Sequence, residues 1–275
     1  MNRHCAATIV RVLLAVLLLA CTLPLRAQQA PAYASIDHVE FYVADLERAL
    51  AFYTQVFGAQ LWKDNGNERR YLQLGQSYIA LEERAEAGIE RICFGVENFD
   101  LDAAHNWLEA QRIPWQDIAA SQGLYVDDRD GIRTQLAQVN TWERLVGTNA
   151  TRESRPDRGT PIFEAYAIDE VFLSVTNLEV DSLFYSRLLD QTGMLQAGSL
   201  WFKIGGASRL RLTQAPVGQK AGVGYFAVHV AYTDMEAAAE AVFDAGGIIE
   251  NILPNGFSFW DPDGIRVVVR SGDLY

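Results

Sequence analysis

The chain says the same thing twice. IDHVEFYV begins at Ile36, and IDEVFLSV begins at Ile168, 132 residues later. At the same offset Asp45-Leu46-Glu47 meets Asn177-Leu178-Glu179, and Phe52-Tyr53 meets Phe184-Tyr185. YLQLG (Tyr71 to Gly75) parallels WFKIG (Trp201 to Gly205), and DDRDGIR (Asp127 to Arg133) parallels WDPDGIR (Trp260 to Arg266). Segments that keep both order and spacing mark a duplication, so the fold must be one that a unit of this size can adopt twice. Residues 33–143 form the first module, 165–275 the second, and the polar stretch at 144–164, with GTNATRESRPDRGTP inside it, is a linker.

Each copy reads as α+β. Alternating strands, HVEFYV and EVFLSV, open the modules. A helix follows: in DLERALAFYTQVF, Asp45 stands at the N-cap and Leu46, Ala49, Leu50, Tyr53 and Phe57 share one face. Short strands come next, around Tyr71–Leu74 and Tyr78–Leu81 in the first copy. RICFGV or YFAVHV then leads into a second helix, LDAAHNWLEAQ or MEAAAEAVFDAGG. The copy closes with a strand after a D-x-D-G turn, where Gly131 or Gly264 permits the bend.

Residues 1–27 stand apart. Arg3 and Arg11 precede the apolar run Val12 to Ala20, which is too short to span a bilayer and fits a secretory leader cleaved after Ala27. LLAC, ending at Cys21, resembles a bacterial lipobox, so a lipid anchor at Cys21 is the alternative. The expectation is an exported protein, periplasmic or secreted, or else a lipoprotein. Three of the 23 basic residues (Arg3, Arg11, Arg26) and none of the 35 acidic ones lie in the leader, which leaves a net charge of −15. Such a surface repels nucleic acid and anionic membrane. Only Cys93 remains of the three cysteines, so no internal disulfide is expected, and Cys93 in ICFGV reads as a core residue.

Strand alternation sorts the side chains. Val39, Phe41 and Val43 point towards the helices, while His38, Glu40 and Tyr42 point away. Over all the strands the face away from the helices collects His38, Glu40, Tyr42, Arg91, Gln135, Glu170, His229 and Arg266. A curved sheet with these residues makes a polar cup.

In the order of its motifs, from DHVEFYVADLERALAFYTQVFGA through ICFGVENFDLDAA and HVAYTDMEAAAEAV to the two D-x-DGIR turns, the chain resembles the vicinal oxygen chelate superfamily of glyoxalases, bleomycin-resistance proteins and extradiol dioxygenases. The resemblance covers nearly all of Ile36 to Arg270. It implies two tandem βαβββ modules forming a curved-sheet cup around a divalent metal, to which a small substrate presents neighbouring oxygens. Metal ligands in that superfamily sit in first and last strands, which are His38, Glu170 and Gln135 here, with His229 a further candidate. Val268, in the remaining position, cannot bind metal. N and O donors of this type suit Fe, Mn, Ni or Zn.

Two functions follow. In one, the protein is a metal-dependent lyase or dioxygenase of glyoxalase type, with Glu170 or Glu40 as the base and Tyr42, Arg91 and Arg266 against the substrate. In the other, it is a metal-free protein whose cup binds or sequesters a small molecule. Glu170 in a salt bridge to Arg91, Arg133 or Arg266, and those three arginines as an anion site, belong to the second reading. The cup is closed within one chain or swapped between two, as a monomer or a homodimer.

Overall fold

The computed structural model describes residues 29–58, 60–64, 69–118, 123–140, 150–152, 160–231 and 233–272. The leader, Cys21 and most of the linker lie outside these residues. The first module contains β1 (Tyr33–Val43), α1 (Leu46–Phe57), β2 (Gln60–Asp64), β3 (Arg70–Leu74) and β4 (Ser77–Glu83). It continues through β5 (Gly88–Val96), α2 (Leu101–Gln111), β6 (Gln116–Ile118), β7 (Gly123–Asp127) and β8 (Arg133–Gln138). The module is therefore itself a pair of βαβββ units. After β9 (Ala150–Arg152) the second module repeats the pattern with β10 (Ala165–Val175), α3 (Leu178–Leu189), β11 (Met194–Gln196), β12 (Ser199–Ile204) and β13 (Ser208–Gln214). Its second unit is β14 (Gly222–Val230), α4 (Met235–Asp244), β15 (Ile248–Leu253), β16 (Gly256–Trp260) and β17 (Arg266–Arg270).

Each module makes one open mixed sheet. The first has the order β6-β7-β8-β5-β1-β4-β3-β2-β9, the second β11-β12-β13-β10-β14-β17-β16-β15. At the centre of each, the two opening strands pair antiparallel, β1 with β5 and β10 with β14. Each opening strand also lies parallel to the closing strand of its own unit, as β1 does with β4. Each sheet draws its strands from one module. The linker is not wholly a loop, since β9 pairs with β2 at the sheet edge.

Local sequence accounts for the helices. Asp45 caps α1 by accepting from the Arg48 backbone N–H at 3.0 Å, and Gly58 ends it in the left-handed region at φ 59°. Leu46, Ala49, Leu50, Tyr53 and Phe57 are buried as the 3.6-residue period requires. One large apolar core runs from Ile36 to Val269 through both modules, beside a small separate cluster of Tyr71, Tyr78 and Ala80. Within it α1 reaches the second module, with Phe52 against Phe259 at 5.9 Å, while Phe41 stacks on Phe226 at 5.8 Å.

The D-x-D-G turns lock the modules together. In each turn one oxygen of the first Asp holds the turn itself. Asp128 Oδ1 accepts from the Asp130 and Ile132 N–H groups, and Asp261 Oδ1 from those of Asp263 and Ile265. The other oxygen accepts a tyrosine hydroxyl from the opposite module: Tyr185 donates to Asp128 at 3.1 Å and Tyr53 to Asp261 at 2.8 Å. The second Asp receives the strand-to-helix junction of the opposite module. The Ala44 N–H donates to Asp263 at 3.0 Å and the Thr176 N–H to Asp130 at 2.6 Å. At the strand starts, Ser77 Oγ donates to the Ile36 carbonyl and accepts from the Ile168 N–H. The backbones approach so closely there that a Cβ on Gly75 would lie 2.0 Å from the Tyr166 carbonyl oxygen, and one on Gly205 would lie 1.8 Å from that of Ala34. These are the terminal glycines of YLQLG and WFKIG.

Two kinds of change test this interlock. Tyr53→Phe or Tyr185→Phe leaves a buried carboxylate oxygen without its donor and should cost about 1–3 kcal/mol in urea unfolding. The second test is pH. Burial pushes Asp261 up to about 6, and burial together with Asp128 and Asp130 pushes Asp181 up to about 6. The unfolded Asp value is about 4, so the folded chain holds more protons between about pH 4 and 6. The contribution of these groups to stability is present below that window and is lost as pH rises through it. Asp181 is buried with no hydrogen bond to either carboxylate oxygen. Asp181→Asn should therefore raise the pH 7 urea midpoint by the equivalent of about 1–2 kcal/mol and flatten its change between pH 5 and 7. An unchanged profile would contradict the assignment.

Candidate functional site

The residues expected in the cup sit on the faces turned away from the helices, divided between the two sheets. His38, Glu40, Tyr42, Arg91 and Gln135 are on the first. Glu170, His229 and Arg266 are on the second. Because β1 pairs with β5 and β10 with β14, each face is built inside one module.

A bulge organises both. In β1 the register passes from Ile36 opposite Phe94 to His38 opposite Cys93, so Asp37 is an extra residue. In β10 it passes from Ile168 opposite Val228 to Glu170 opposite Ala227, and Asp169 is extra. The bulged acids do different work. Asp37 Oδ2 lies 2.9 Å from His38 Nδ1. Asp169 instead accepts from Arg270 through both oxygens, each at 2.8 Å.

On the first face, His38 is 2% exposed and stacks on Tyr78, with ring centroids 4.4 Å apart. Glu40, 1% exposed, pairs with Arg91 in a short contact and with Arg69 at 3.0 Å. Burial lifts the Glu40 carboxyl above its ordinary value, against the pull of Arg91 and Arg69. Arg91 also donates to Gln135 Oε1 at 3.3 Å and lies over the Tyr125 ring. Tyr42 stands half-buried nearer the rim, under Arg84. Cys93 is buried as expected, and burial pushes its thiol well up. Its strand also places it beside the bulge, where ligand-capable atoms of Asp37, His38 and Cys93 all lie within 4.8 Å of one another.

The second face is a knot of charge, and the arginines on Glu170 are not the expected Arg91, Arg133 or Arg266, which pair with Glu40, Asp127 and Glu250. Glu170, 1% exposed, accepts from Arg209 Nε at 2.6 Å, from Arg270 Nη2 at 3.0 Å and from the Tyr225 hydroxyl. Burial, with Glu170 adding to it, pushes Tyr225 up to about 12. His229 packs against the Tyr166 ring at 5.5 Å and lies in register with Arg270. Arg266 is held by Glu250 at 2.7 Å and lies over the Tyr225 and Trp260 rings. Opposite Ala227 stands Val268, where the first sheet has Gln135 opposite Cys93.

Sequence reasoning left out Asp37, because the bulge that brings it to His38 is a matter of strand register. It also left out Arg209, Arg211 and Arg270. Those were within reach: SRLRLTQ alternates arginine with leucine, as a strand with one charged face does.

Residues 35–136 match the model of the Glyoxalase/Bleomycin resistance protein/Dioxygenase superfamily. Metallothiol transferase FosB of Staphylococcus haemolyticus is 25% identical over 124 residues, which are 40% of this chain and 87% of the relative. The Lysinibacillus sphaericus protein of the same name is 28% identical over 125 residues, 40% of this chain and 86% of its own. Among solved structures, a catechol 2,3-dioxygenase superposes with a TM-score of 0.67 at 17% identity, covering 88% of this chain and 89% of its own. The Mn(II)-bound glyoxalase from Novosphingobium aromaticivorans gives 0.66 at 17% identity, with 88% and 83% covered. The family match covers residues 35–136, within the first module, and the fold of the whole chain is the one these solved structures share.

One of these solved structures is Mn(II)-bound, and the donors of this chain answer a metal differently at different places. The Glu170 and Glu40 carboxylates are neutralised by guanidinium groups, and a cation at either would have to displace them. Asp37, His38 and Cys93 offer a carboxylate, an imidazole and a thiol, a donor set that suits zinc or a similar borderline ion. This is the one such group among the described residues.

Glu170→Gln removes the charge that two guanidinium groups answer and should destabilise the chain by about 2–3 kcal/mol. Adding Arg209→Met should recover part of that loss, since the two changes share one network. Urea unfolding of the single and double variants measures both. Simple additivity would show that the network does not exist.

Proposed function

We propose that this protein binds a small molecule without a metal in its arginine-rich cups, the family's scaffold serving recognition rather than metal-centred turnover. One observation carries this: in both modules a guanidinium occupies the carboxylate of the cup, Arg91 on Glu40 and Arg209 with Arg270 on Glu170. Such pairs leave a cation no net charge to answer. They also fix donors and rings in place, which suits recognition of a small polar molecule. Glu40 and Glu170 then position arginines and do not abstract protons, and His229 and Gln135 line the cups. The apolar leader supports the added proposal that the protein acts after export. Among the described residues no helix is long and apolar enough to cross a membrane.

A second reading has its own support. If Asp37, His38 and Cys93 hold a metal, the first module keeps a metal centre of the lyase or dioxygenase type, and only the second is a pure binding module. His38 would be its imidazole donor and Cys93, deprotonated on binding, its sulfur donor.

Elemental mass spectrometry of purified protein, after incubation with Fe, Mn, Ni and Zn and then desalting, separates the two. The expected result is no stoichiometric metal in the wild type. Near-stoichiometric metal that is lost in His38→Ala and Cys93→Ser but kept in Glu170→Gln would establish the second reading. Metal lost in Glu170→Gln would contradict the proposal for the second module outright.

A further inference from the structure

The second face holds one guanidinium that no carboxylate answers among the described residues. Four arginines, Arg209, Arg211, Arg266 and Arg270, meet there in a chain of net charge −12. Asp169 and Glu170 pair with Arg270 and Arg209, and Glu250 pairs with Arg266. Arg211 is different. Its Nε donates to Ser199 Oγ at 2.9 Å, and its Nη1 donates to the Tyr225 hydroxyl oxygen at 3.2 Å. Its guanidinium lies over the Trp201 ring at 5.1 Å and the Phe172 ring at 5.2 Å. Hydroxyls and rings therefore hold the group in place without neutralising it.

We propose that Arg211 is the anchor of an oxyanion site in the second module, taking the carboxylate of a small organic acid. The proposal rests on the metal-free reading of this module. With Nε committed to Ser199, the guanidinium still has the outer edge formed by Nη1 and Nη2, and two N–H groups there match the two oxygens of a carboxylate. The Tyr225 hydroxyl, which donates to Glu170, takes one N–H of Nη1, and the second N–H of Nη1 and those of Nη2 are left for a ligand. Half-burial among rings keeps the charge from being fully screened by water. The equivalent position in the first module holds no arginine. Ala80 pairs with Tyr71 there as Arg211 pairs with Trp201 here, so the site belongs to one copy of the repeat alone.

Isothermal titration of the full chain with benzoate, at low ionic strength, with and without EDTA, tests this. Saturable binding of one benzoate per chain is expected. Arg211→Gln should weaken it about 10-fold or more, and Arg211→Lys, which keeps the charge and loses the fork, by a smaller factor. Arg187→Gln, a charge-matched change on the exposed side of α3, should leave it unchanged. Circular dichroism verifies that each variant is folded. If Arg211→Gln does not fold, Ser199→Ala, which releases Nε, should still weaken benzoate binding by about 3-fold. No binding at millimolar benzoate, or binding indifferent to these changes, overturns the proposal. Inorganic phosphate bound more tightly than benzoate overturns the carboxylate assignment. Benzoate binding that EDTA abolishes and a divalent metal restores would instead overturn the metal-free reading on which the proposal stands.

Discussion

Two aspartate turns reach across the molecule and make one body of two modules. Each D-x-D-G turn spends one carboxylate oxygen on its own backbone and offers the other to a tyrosine in the opposite module, while its second Asp receives the opposite strand-to-helix junction. The arrangement is reciprocal, so neither module can adjust its helix without disturbing the other's turn. It encloses a large shared apolar core in which α1 touches the second module as well as its own sheet. The demands of that core explain why the repeat is so legible. Residues that face the core or the interlock are constrained twice, by their own module and by its twin.

The opposite faces of the sheets carry no such double constraint, and they have gone separate ways. His38 stands where Glu170 does, Cys93 where Ala227 does, Gln135 where Val268 does, and Tyr78 where Arg209 does, as strand register shows. The bulged acid is kept in both and changes partner, from an imidazole to a guanidinium. The first face therefore adds imidazole and thiol to its Glu40–arginine pairs, while the second gathers arginine alone around its acids.

Much of this was readable in the amino acids. The α+β class, the duplication, the first helix with its Asp45 cap and the division of strand faces all follow from periodicity and from residues whose roles are local. So did the burial of Cys93. What periodicity could not carry was pairing. The pairing of two βαβββ units within each copy, the bulges at Asp37 and Asp169, and the confinement of His38 with Gln135 to one sheet and Glu170 to the other are long-range facts. Glu170 shows the difference most clearly. As a carboxylate in a first strand it reads equally as a metal donor, a base or half of an ion pair. Its role depends on Arg209, 39 residues away, and Arg270, 100 residues away, arriving at the same place.

The measurement that bears most directly on the arginine-filled cups is an anomalous difference map from crystals grown with excess Mn(II). The result expected is unbroken guanidinium density against Glu40 and Glu170 with no metal peak at either carboxylate. A peak at coordination distance, about 2.0–2.2 Å from Glu170 or Glu40 with the arginines swung aside, would contradict it and would restore the family's metal to the centre of the cup.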